Sequence, residues 1–158
     1  SGEGPLILVP SRYLVSADSA SVEPMGVDAA RWTGEWLGPH QRFAADRIAR
    51  LLLAVHGRQQ VSTTLHHGYD AGQLLTSESL GPTERDMLHR LELDYILADL
   101  RLTTGRSLVG TYFDGGLSDQ MLSGPPSPKA FLKFNDVPGV HRVFDNGYAV
   151  IYDVRALR

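Results

Sequence analysis

The feature that most restricts the fold of this chain is an alternation between strand-like and helix-like segments. Strand-like segments lie at Gln41–Ala45, Gln60–Leu65 and Tyr95–Ala98, and segments of helical periodicity at Arg47–His56 and Pro82–Leu93 separate them. Strands joined through helices can pair in parallel, because a parallel pair needs a crossover of a dozen or more residues. The alternation therefore predicts an α/β fold with a mostly parallel, three-layer sheet flanked by helices.

The end of the chain carries a hairpin pattern. The segments His141–Asp145 and Tyr148–Val154 are strand-like and flank Asn146-Gly147. Asn-Gly favours a type I′ turn, because both central positions of that turn need a positive φ. We therefore predict a C-terminal antiparallel β-hairpin. A sheet with one packed face is predicted from the alternation at Val143, Asp145, Ala149 and Ile151.

The first third of the chain predicts a loop followed by an amphipathic helix. Residues 16–26 are small, polar and contain Pro and Gly, which is typical of a loop. Val27–Leu37 has helical periodicity. Trp32 and Trp36 are spaced four apart on this helix, so we interpret both as core residues rather than as an aromatic platform for a sugar ring.

Other stretches give weaker patterns. Short strands are predicted at Leu6–Val9, Tyr13–Val15, Val109–Phe113 and Phe131–Phe134. The stretches 66–81 and 100–130 are expected to be largely irregular. Thr83 and Asp86 resemble a capping box at the start of the helix Pro82–Leu93, with Asp in place of the usual Glu or Gln.

Length and composition limit the class of protein. The 158 residues fit a single α/β domain over residues 1–158, with residues 1–4 expected to be a tag or linker. The absence of cysteine excludes disulfides and thiolate chemistry. The longest apolar run, Leu51–Val55, is far shorter than the roughly 20 residues of a membrane-spanning helix. With 15 basic and 18 acidic residues, the net charge of −3 argues against nucleic acid as a partner.

Two acidic residues followed by arginines form the candidate ligand site. Asp46-Arg47 follows one predicted strand, and Asp99 with Arg101 follows another. Ligands of open α/β sheets gather outside the carboxyl ends of the strands, where such side chains could hold sugar hydroxyls, a metal or a base. The competing interpretation is structural: Asp46 caps the helix that starts at Arg47, and Asp99 caps a turn. We prefer the structural interpretation, because capping is a common use of aspartate.

No other residue set predicts a catalytic or metal centre. His66-His67 with Asp70 hints at a metal site, but adjacent histidines on a strand point to opposite faces and no third ligand is evident. A G-x-S-x-G nucleophile elbow and glycine-rich phosphate loops are both missing from the sequence. We therefore expect no catalytic residue, no metal and no cofactor in this chain.

Several segments together resemble a known class of domain. The chain is similar to the soluble C-terminal extracytoplasmic domain of polytopic, glycosyltransferase-like membrane proteins of actinobacterial type. The resemblance rests on Val27–Pro39, Arg42–Arg47, Arg50–Leu53, Tyr95–Arg101, Gly110–Phe113 and Arg142–Arg155. It implies a parent protein with many membrane helices that handles lipid-linked sugars, with its catalytic carboxylates in loops between those helices and outside this chain.

The resemblance leads to one expected function and leaves two alternatives open. It implies a non-catalytic accessory or glycan-binding domain on the extracytoplasmic face of the cell membrane. Its partners would be the membrane-embedded portion of the parent protein and a glycan or lipid-linked sugar. The first alternative is a free-standing small-molecule-binding protein or small enzyme of a natural-product pathway. The second is an interaction domain that pairs through the exposed edge of the terminal hairpin.

Overall fold

The computed structural model describes residues 14–15, 23–62, 69–104, 106–107, 113 and 124–158. Its strands are β1 Leu14–Val15, β2 Arg42–Ala44, β3 Gln60–Ser62, β4 Tyr95–Asp99, β5 Arg106–Ser107, β6 His141–Asp145 and β7 Ala149–Asp153. Its α-helices are α1 Pro24–Trp32, α2 Arg47–His56, α3 Gln73–Thr76, α4 Pro82–Arg90 and α5 Pro128–Leu132. A π-helix, Thr33–Leu37, continues α1, and 3₁₀ turns follow β4, α5 and β7.

A five-stranded mixed sheet in the order β3-β2-β4-β7-β6 forms the centre of the fold. The pairs β2–β3 and β2–β4 are parallel, whereas β7 is antiparallel to both β4 and β6. Four of the five strands therefore run in the same direction and β7 runs against them. This confirms the predicted α/β class, and it places the hairpin strand β7 inside the sheet. β1 and β5 form a separate parallel pair.

Helices cover both faces of the sheet. Along β4, Tyr95 and Leu97 face one cluster of buried side chains, and Ile96 and Ala98 face the other, as the alternation of a strand requires. One cluster lies against α1 and α2, and the other against α3, α4 and α5. The prediction that the hairpin has one packed face is wrong for β7, which is buried on both sides because helices lie above and below it.

The turn of the hairpin also differs from its prediction. Gly147 has φ +85°, but Asn146 has no positive φ, so the turn is not type I′. The side chain of Asn146 instead accepts hydrogen bonds from the N–H groups of Tyr148 (3.1 Å) and Ala149 (2.9 Å). A bulge between Arg142 and Phe144 interrupts the edge strand β6, and bulges of this kind hinder edge-to-edge pairing.

Helix α1 starts earlier than predicted. Pro24 begins it, although residues 16–26 were predicted to be a loop, because proline suits the first turn, where an N–H has no partner. The π-helical turn that ends it makes i→i+5 bonds and turns Trp36 away from the packed face. Trp36 is 72% exposed, so its assignment to the core is wrong, whereas Trp32 is half-buried and packs on Phe144 at 4.9 Å between ring centroids.

Two more local predictions are corrected. Phe131 and Phe134 lie in α5 and the following 3₁₀ turn, not in a strand, because Ser127 accepts the N–H of Lys129 and Pro128 opens the helix. Helix α4 is capped by the side chain of Glu84, which accepts the N–H of Gly81 at 3.0 Å. The predicted strands Leu6–Val9 and residues 109–112 of Val109–Phe113 lie outside the described residues.

The close approach of the α1 segment to the end of α2 requires a glycine. A Cβ at Gly57 would lie 2.4 Å from Oγ1 of Thr33 and 2.7 Å from the carbonyl oxygen of Ala30. Gly57 thus ends α2, as its sequence position predicts, and lets the two helices pack together.

Among the described residues, no helix is long and apolar enough to cross a lipid bilayer.

Candidate functional site

Three of the four predicted site residues lie together at the carboxyl ends of β2 and β4. Because these strands are parallel neighbours, Asp46, just after β2, and Asp99, the last residue of β4, come to the same edge of the sheet. Arg101 follows in the 3₁₀ turn, and its guanidinium reaches Glu23 at 3.5 Å. We name Asp46, Asp99, Arg101 and Glu23 the strand-end cluster.

Asp46 caps α2, as its position before the helix predicts. Its Oδ1 accepts hydrogen bonds from the N–H groups of Ile48 (2.9 Å) and Ala49 (3.0 Å). The residue is 1% exposed. Its Oδ2 is buried without a hydrogen-bond partner among the described residues. Asp46 therefore stabilises the helix start through one oxygen and keeps the other in a desolvated position.

Asp99 and Arg101 form a fork-shaped ion pair. The Arg101 Nε lies 3.0 and 3.1 Å from the two carboxylate oxygens, one of its terminal nitrogens lies 2.5 Å from Oδ2, and its backbone N–H also donates to Oδ1. Both side chains are largely buried. A buried bidentate pair of this kind is geometrically specific, and removal of one partner leaves an uncompensated charge.

The electrostatics of the cluster follow from burial. Desolvation, followed by the charge of Asp99, raises the pKa of Asp46 to about 7, against smaller opposing effects of the helix N–H groups and Arg101. Burial alone would lower the pKa of Arg101, but the hydrogen bonds and charge of Asp99 raise it above its ordinary value. Arg101 thus stays charged, and Asp46 titrates near neutral pH.

The space beside the strand-end cluster is too small for a sugar. Asp99 and Arg101 border a cavity of about 10 Å³ whose other walls are mainly alanine and leucine. That volume is close to the minimum that one water molecule needs. Arg47, the fourth predicted residue, is half-buried in the first turn of α2 and makes no ion pair with any described residue. The geometry therefore favours the structural interpretation of these residues over the ligand-binding one.

A larger polar groove lies at the opposite end of the parallel strands. It has a volume of about 960 Å³, within the range of ligand pockets. We name this feature the polar groove, and its lining consists of His40, Arg42, Tyr69, Asp86, His89, Arg90, Glu92, Asp94 and Arg158. Arg42 begins β2, Asp94 directly precedes β4, and Arg158 is the last residue, so distant parts of the sequence build the groove.

One wall of the polar groove is a hydrogen-bonded triad. The hydroxyl of Tyr69 donates to Asp86 at 2.9 Å, and Nε of Arg90 donates to both oxygens of Asp86 at 3.0 Å. The hydrogen bond from Tyr69, and then that from Arg90, lowers the pKa of Asp86. The same bond to Asp86 raises the pKa of Tyr69. Asp86 is thus held ionised, with the phenol and guanidinium fixed around it.

The other wall carries two further ion pairs. Arg42 contacts Glu92, and Arg158 contacts Asp94. Asp94 also accepts the backbone N–H of Arg42 at 2.8 Å. Each of the three acidic residues of the groove therefore has an arginine partner, and the wall is a set of fixed donors and acceptors with little net charge.

The backbone of the polar groove is unusual at two positions. His40 (φ +63°) and Glu92 (φ +48°) adopt the left-handed conformation that residues other than glycine seldom adopt. The N–H of His40 donates to the carbonyl oxygen of Arg58, and that of Glu92 to the carbonyl oxygen of His89. Glu92 directly follows the last turn of α4, where a left-handed residue commonly ends a helix, so at this position the conformation is a feature of the fold.

Sequence reasoning missed the polar groove, although one signal was present. Charged residues stand at the start of two neighbouring strands: Arg42 begins β2, and Glu92 and Asp94 precede β4. Of the three residues that hinted at a metal site, His66 and His67 lie outside the described residues. The third, Asp70, accepts a hydrogen bond from the N–H of Gly72 at 3.0 Å. Within the described parts of the chain, no group of three potential ligands forms a metal site.

Comparison with known proteins gives one informative similarity. No family model matches the chain, and no curated protein matches it significantly. Among solved structures, it is similar to the C-terminal globular domain of an oligosaccharyltransferase from Archaeoglobus fulgidus. The TM-score is 0.57 at 12% sequence identity, and the match covers 84% of this chain and 98% of that domain. At this identity the similarity shows a shared fold.

Proposed function

We propose that this chain is a non-catalytic, glycan-binding accessory domain of a glycosyltransferase-like membrane protein. The observation that carries the proposal is the shared fold, which spans 98% of a globular domain taken from an oligosaccharyltransferase. The parent protein would be actinobacterial, and the domain would lie on the extracytoplasmic face of its membrane. Its partners would be the membrane-embedded portion of the same protein and the glycan or lipid-linked sugar on which that portion acts.

The charged residues of this chain favour binding over catalysis. Asp46 and Asp99 are buried and bonded within the fold, so a substrate would not reach them. In the polar groove, each acidic side chain is paired with an arginine, an arrangement that presents hydrogen-bond donors and acceptors to a ligand. General acid–base catalysis instead needs a group that exchanges a proton with the substrate near the working pH.

The polar groove is the better glycan site of the two candidates. Sugar hydroxyls donate and accept hydrogen bonds, and the triad of Tyr69, Asp86 and Arg90 presents both kinds of group in fixed positions. The ring of Tyr69 adds an apolar surface on which a sugar face can pack. The strand-end cluster lacks the space for such a ligand. We therefore assign glycan contact to the polar groove and a scaffold role to the strand-end cluster.

Titration of the chain with neutral oligosaccharides and sugar phosphates, followed by amide NMR shifts, tests this assignment. We expect shifts at Tyr69, His89 and Arg90, because their backbone and side chains line the polar groove. Asp86→Asn should weaken binding about tenfold, since it removes a charged acceptor that orders the triad. Glu78→Gln is the matched control, because Glu78 pairs with Lys129 outside the groove.

Two outcomes would contradict the assignment. Shifts confined to Asp46, Arg47, Asp99 and Arg101 would show that the glycan binds at the strand ends and not in the polar groove. No shift with any of these sugars at millimolar concentration would reject glycan binding by the domain.

A free-standing small-molecule-binding protein or small enzyme is the second candidate function. The volume of the polar groove favours it, because about 960 Å³ also suits a compact organic ligand. The full reading frame of the gene distinguishes the two functions. Hydrophobic spans encoded upstream in the same frame would support the accessory domain, and a frame that encodes only this domain would support the second candidate.

A further inference from the structure

The charges of this chain are unevenly distributed along its sequence. Residues 47–69 contain three arginines and three histidines but no acidic residue. Three of the 15 basic residues thus fall in this segment, which leaves 12 basic and 18 acidic residues elsewhere, a balance of −6. A basic segment within an acidic chain is a candidate contact for an anionic partner.

Helix α2 occupies the start of this segment, and its outer side combines apolar and basic residues. Its inner side packs on the sheet through Ile48, Ala49, Leu52 and Leu53. Leu51 and Val55, on the outer side, are 51% and 71% exposed. Arg47 precedes Leu51 by one helical turn, and Arg58 is exposed just beyond the end of the helix. The apolar side chains therefore lie between arginines at the two ends of α2.

The third exposed large apolar side chain lies in the same helical layer. Trp36, Leu51 and Val55 are the large hydrophobic residues that the described parts of the chain expose. The segment that carries Trp36 runs beside the end of α2, since a Cβ at Gly34 would lie 3.2 Å from the carbonyl oxygen of Gly57. The N–H of His40 likewise donates to the carbonyl oxygen of Arg58. The layer of α3, α4 and α5 shows no such side chain among its described residues.

We propose that this outer surface, formed by Trp36, Arg47, Leu51, Val55 and Arg58, docks on a lipid bilayer that contains anionic lipids. We name these five residues the basic apolar face. Apolar side chains flanked by arginines match the boundary between acyl chains and anionic headgroups, and tryptophan favours that boundary. The absence of acidic residues from α2 supports a bilayer with negative charge as the occupant. The proposal adds a lipid surface to the proposed function and does not depend on glycan binding.

Co-sedimentation with vesicles tests the basic apolar face. We expect the whole chain to bind vesicles of phosphatidylcholine with about a third phosphatidylglycerol, and to bind pure phosphatidylcholine far more weakly. Arg58→Gln should weaken binding about fivefold, and the double change Leu51→Gln with Val55→Gln about tenfold. The chain has two tryptophans. Insertion should shift the fluorescence to the blue, and Trp36→Phe should abolish that shift.

Controls separate this proposal from general charge effects and from misfolding. Arg85→Gln removes the same charge from the exposed side of α4, on the opposite layer, and should leave vesicle binding unchanged. Circular dichroism checks the fold of each variant, and we expect it to be unchanged because the substituted residues are exposed. Three results would overturn the proposal: no binding to the anionic vesicles, equal loss in Arg85→Gln, or a dimer in sedimentation analysis that the Leu51/Val55 variant disperses. The last would assign the face to a second copy of the chain.

Discussion

Replacement of Arg101 by methionine is expected to lower the free energy of unfolding by about 3–5 kcal/mol at pH 8. Methionine keeps much of the length of the side chain but leaves Asp99 in a buried position without its bidentate partner. Asp46, which lies close enough for the charge of Asp99 to raise its pKa, loses at the same time the positive charge of Arg101 that lowers its pKa. Urea unfolding at fixed pH, followed by far-UV circular dichroism, measures the loss.

A second variant and a matched control make this prediction specific. Asp99→Asn combined with Arg101→Met should recover part of the lost stability, because the double variant no longer buries an unpaired carboxylate at that position. Asp153 and Arg155 repeat the same Asp-x-Arg geometry, with Nε 3.0 Å from Oδ1, but their arginine is half-exposed. Arg155→Met should therefore change stability by less than about 1 kcal/mol. Equal losses for Arg101→Met and Arg155→Met would contradict a buried role for Arg101.

The elements that the sequence predicted correctly are those that local chemistry determines. Asp46 caps α2 because its carboxylate reaches N–H groups two and three residues away, an interaction that needs no other part of the chain. Gly57 follows the last residue of α2 as its sequence position suggests. The continuous apolar run at Tyr95–Ala98 indicated a strand covered on both faces, and β4 is buried along its whole length.

The errors occurred where a feature outside the apolar pattern decides the structure, either a local cap or turn or a tertiary contact. The apolar spacing of Phe131–Phe134 suits a strand, but capping by Ser127 and the fixed φ of Pro128 start a helix there. The alternation of residues in the hairpin suggested a sheet with one solvent-exposed face, because it could not show that β7 would insert between β4 and β6. The exposure of Trp36 depends on a π-helical turn, which helical periodicity does not predict.

The candidate site shows the same division. Parallel pairing of two strands was enough to bring Asp46 and Asp99 to one edge of the sheet, and the structure has them there. Burial of that edge could not be predicted, because it depends on the packing of α1, which supplies Ala29 and Ala30 to the adjoining small cavity. The polar groove could not be predicted for a related reason. Arg42, Tyr69 and Arg158 are far apart in the sequence, and only the complete fold places them around one groove.

The pH dependence of stability gives the second large prediction, and Asp46 is its source. The pKa of Asp46 is raised from 3.8 to about 7 in the folded chain, mainly because burial disfavours the carboxylate. The folded state therefore holds a proton that the unfolded state releases. This contribution to stability is fully present below about pH 4, and it is lost as the pH rises to 7 and above. The free energy of unfolding should fall over that window by an amount on the order of 4 kcal/mol.

Asp46→Asn should remove this contribution while it keeps the helix cap. The amide oxygen can still accept the N–H groups of Ile48 and Ala49, and no charge has to be buried at the position of the unpaired Oδ2. The variant should thus match the wild type near pH 4 and exceed it increasingly towards pH 8. Asp46→Ala, as a control, should lose the same pH dependence but lie lower by about 1–2 kcal/mol, because the cap is gone. Parallel wild-type and Asp46→Asn curves of unfolding free energy against pH would show that Asp46 stays ionised in the folded chain, so that burial does not control its proton.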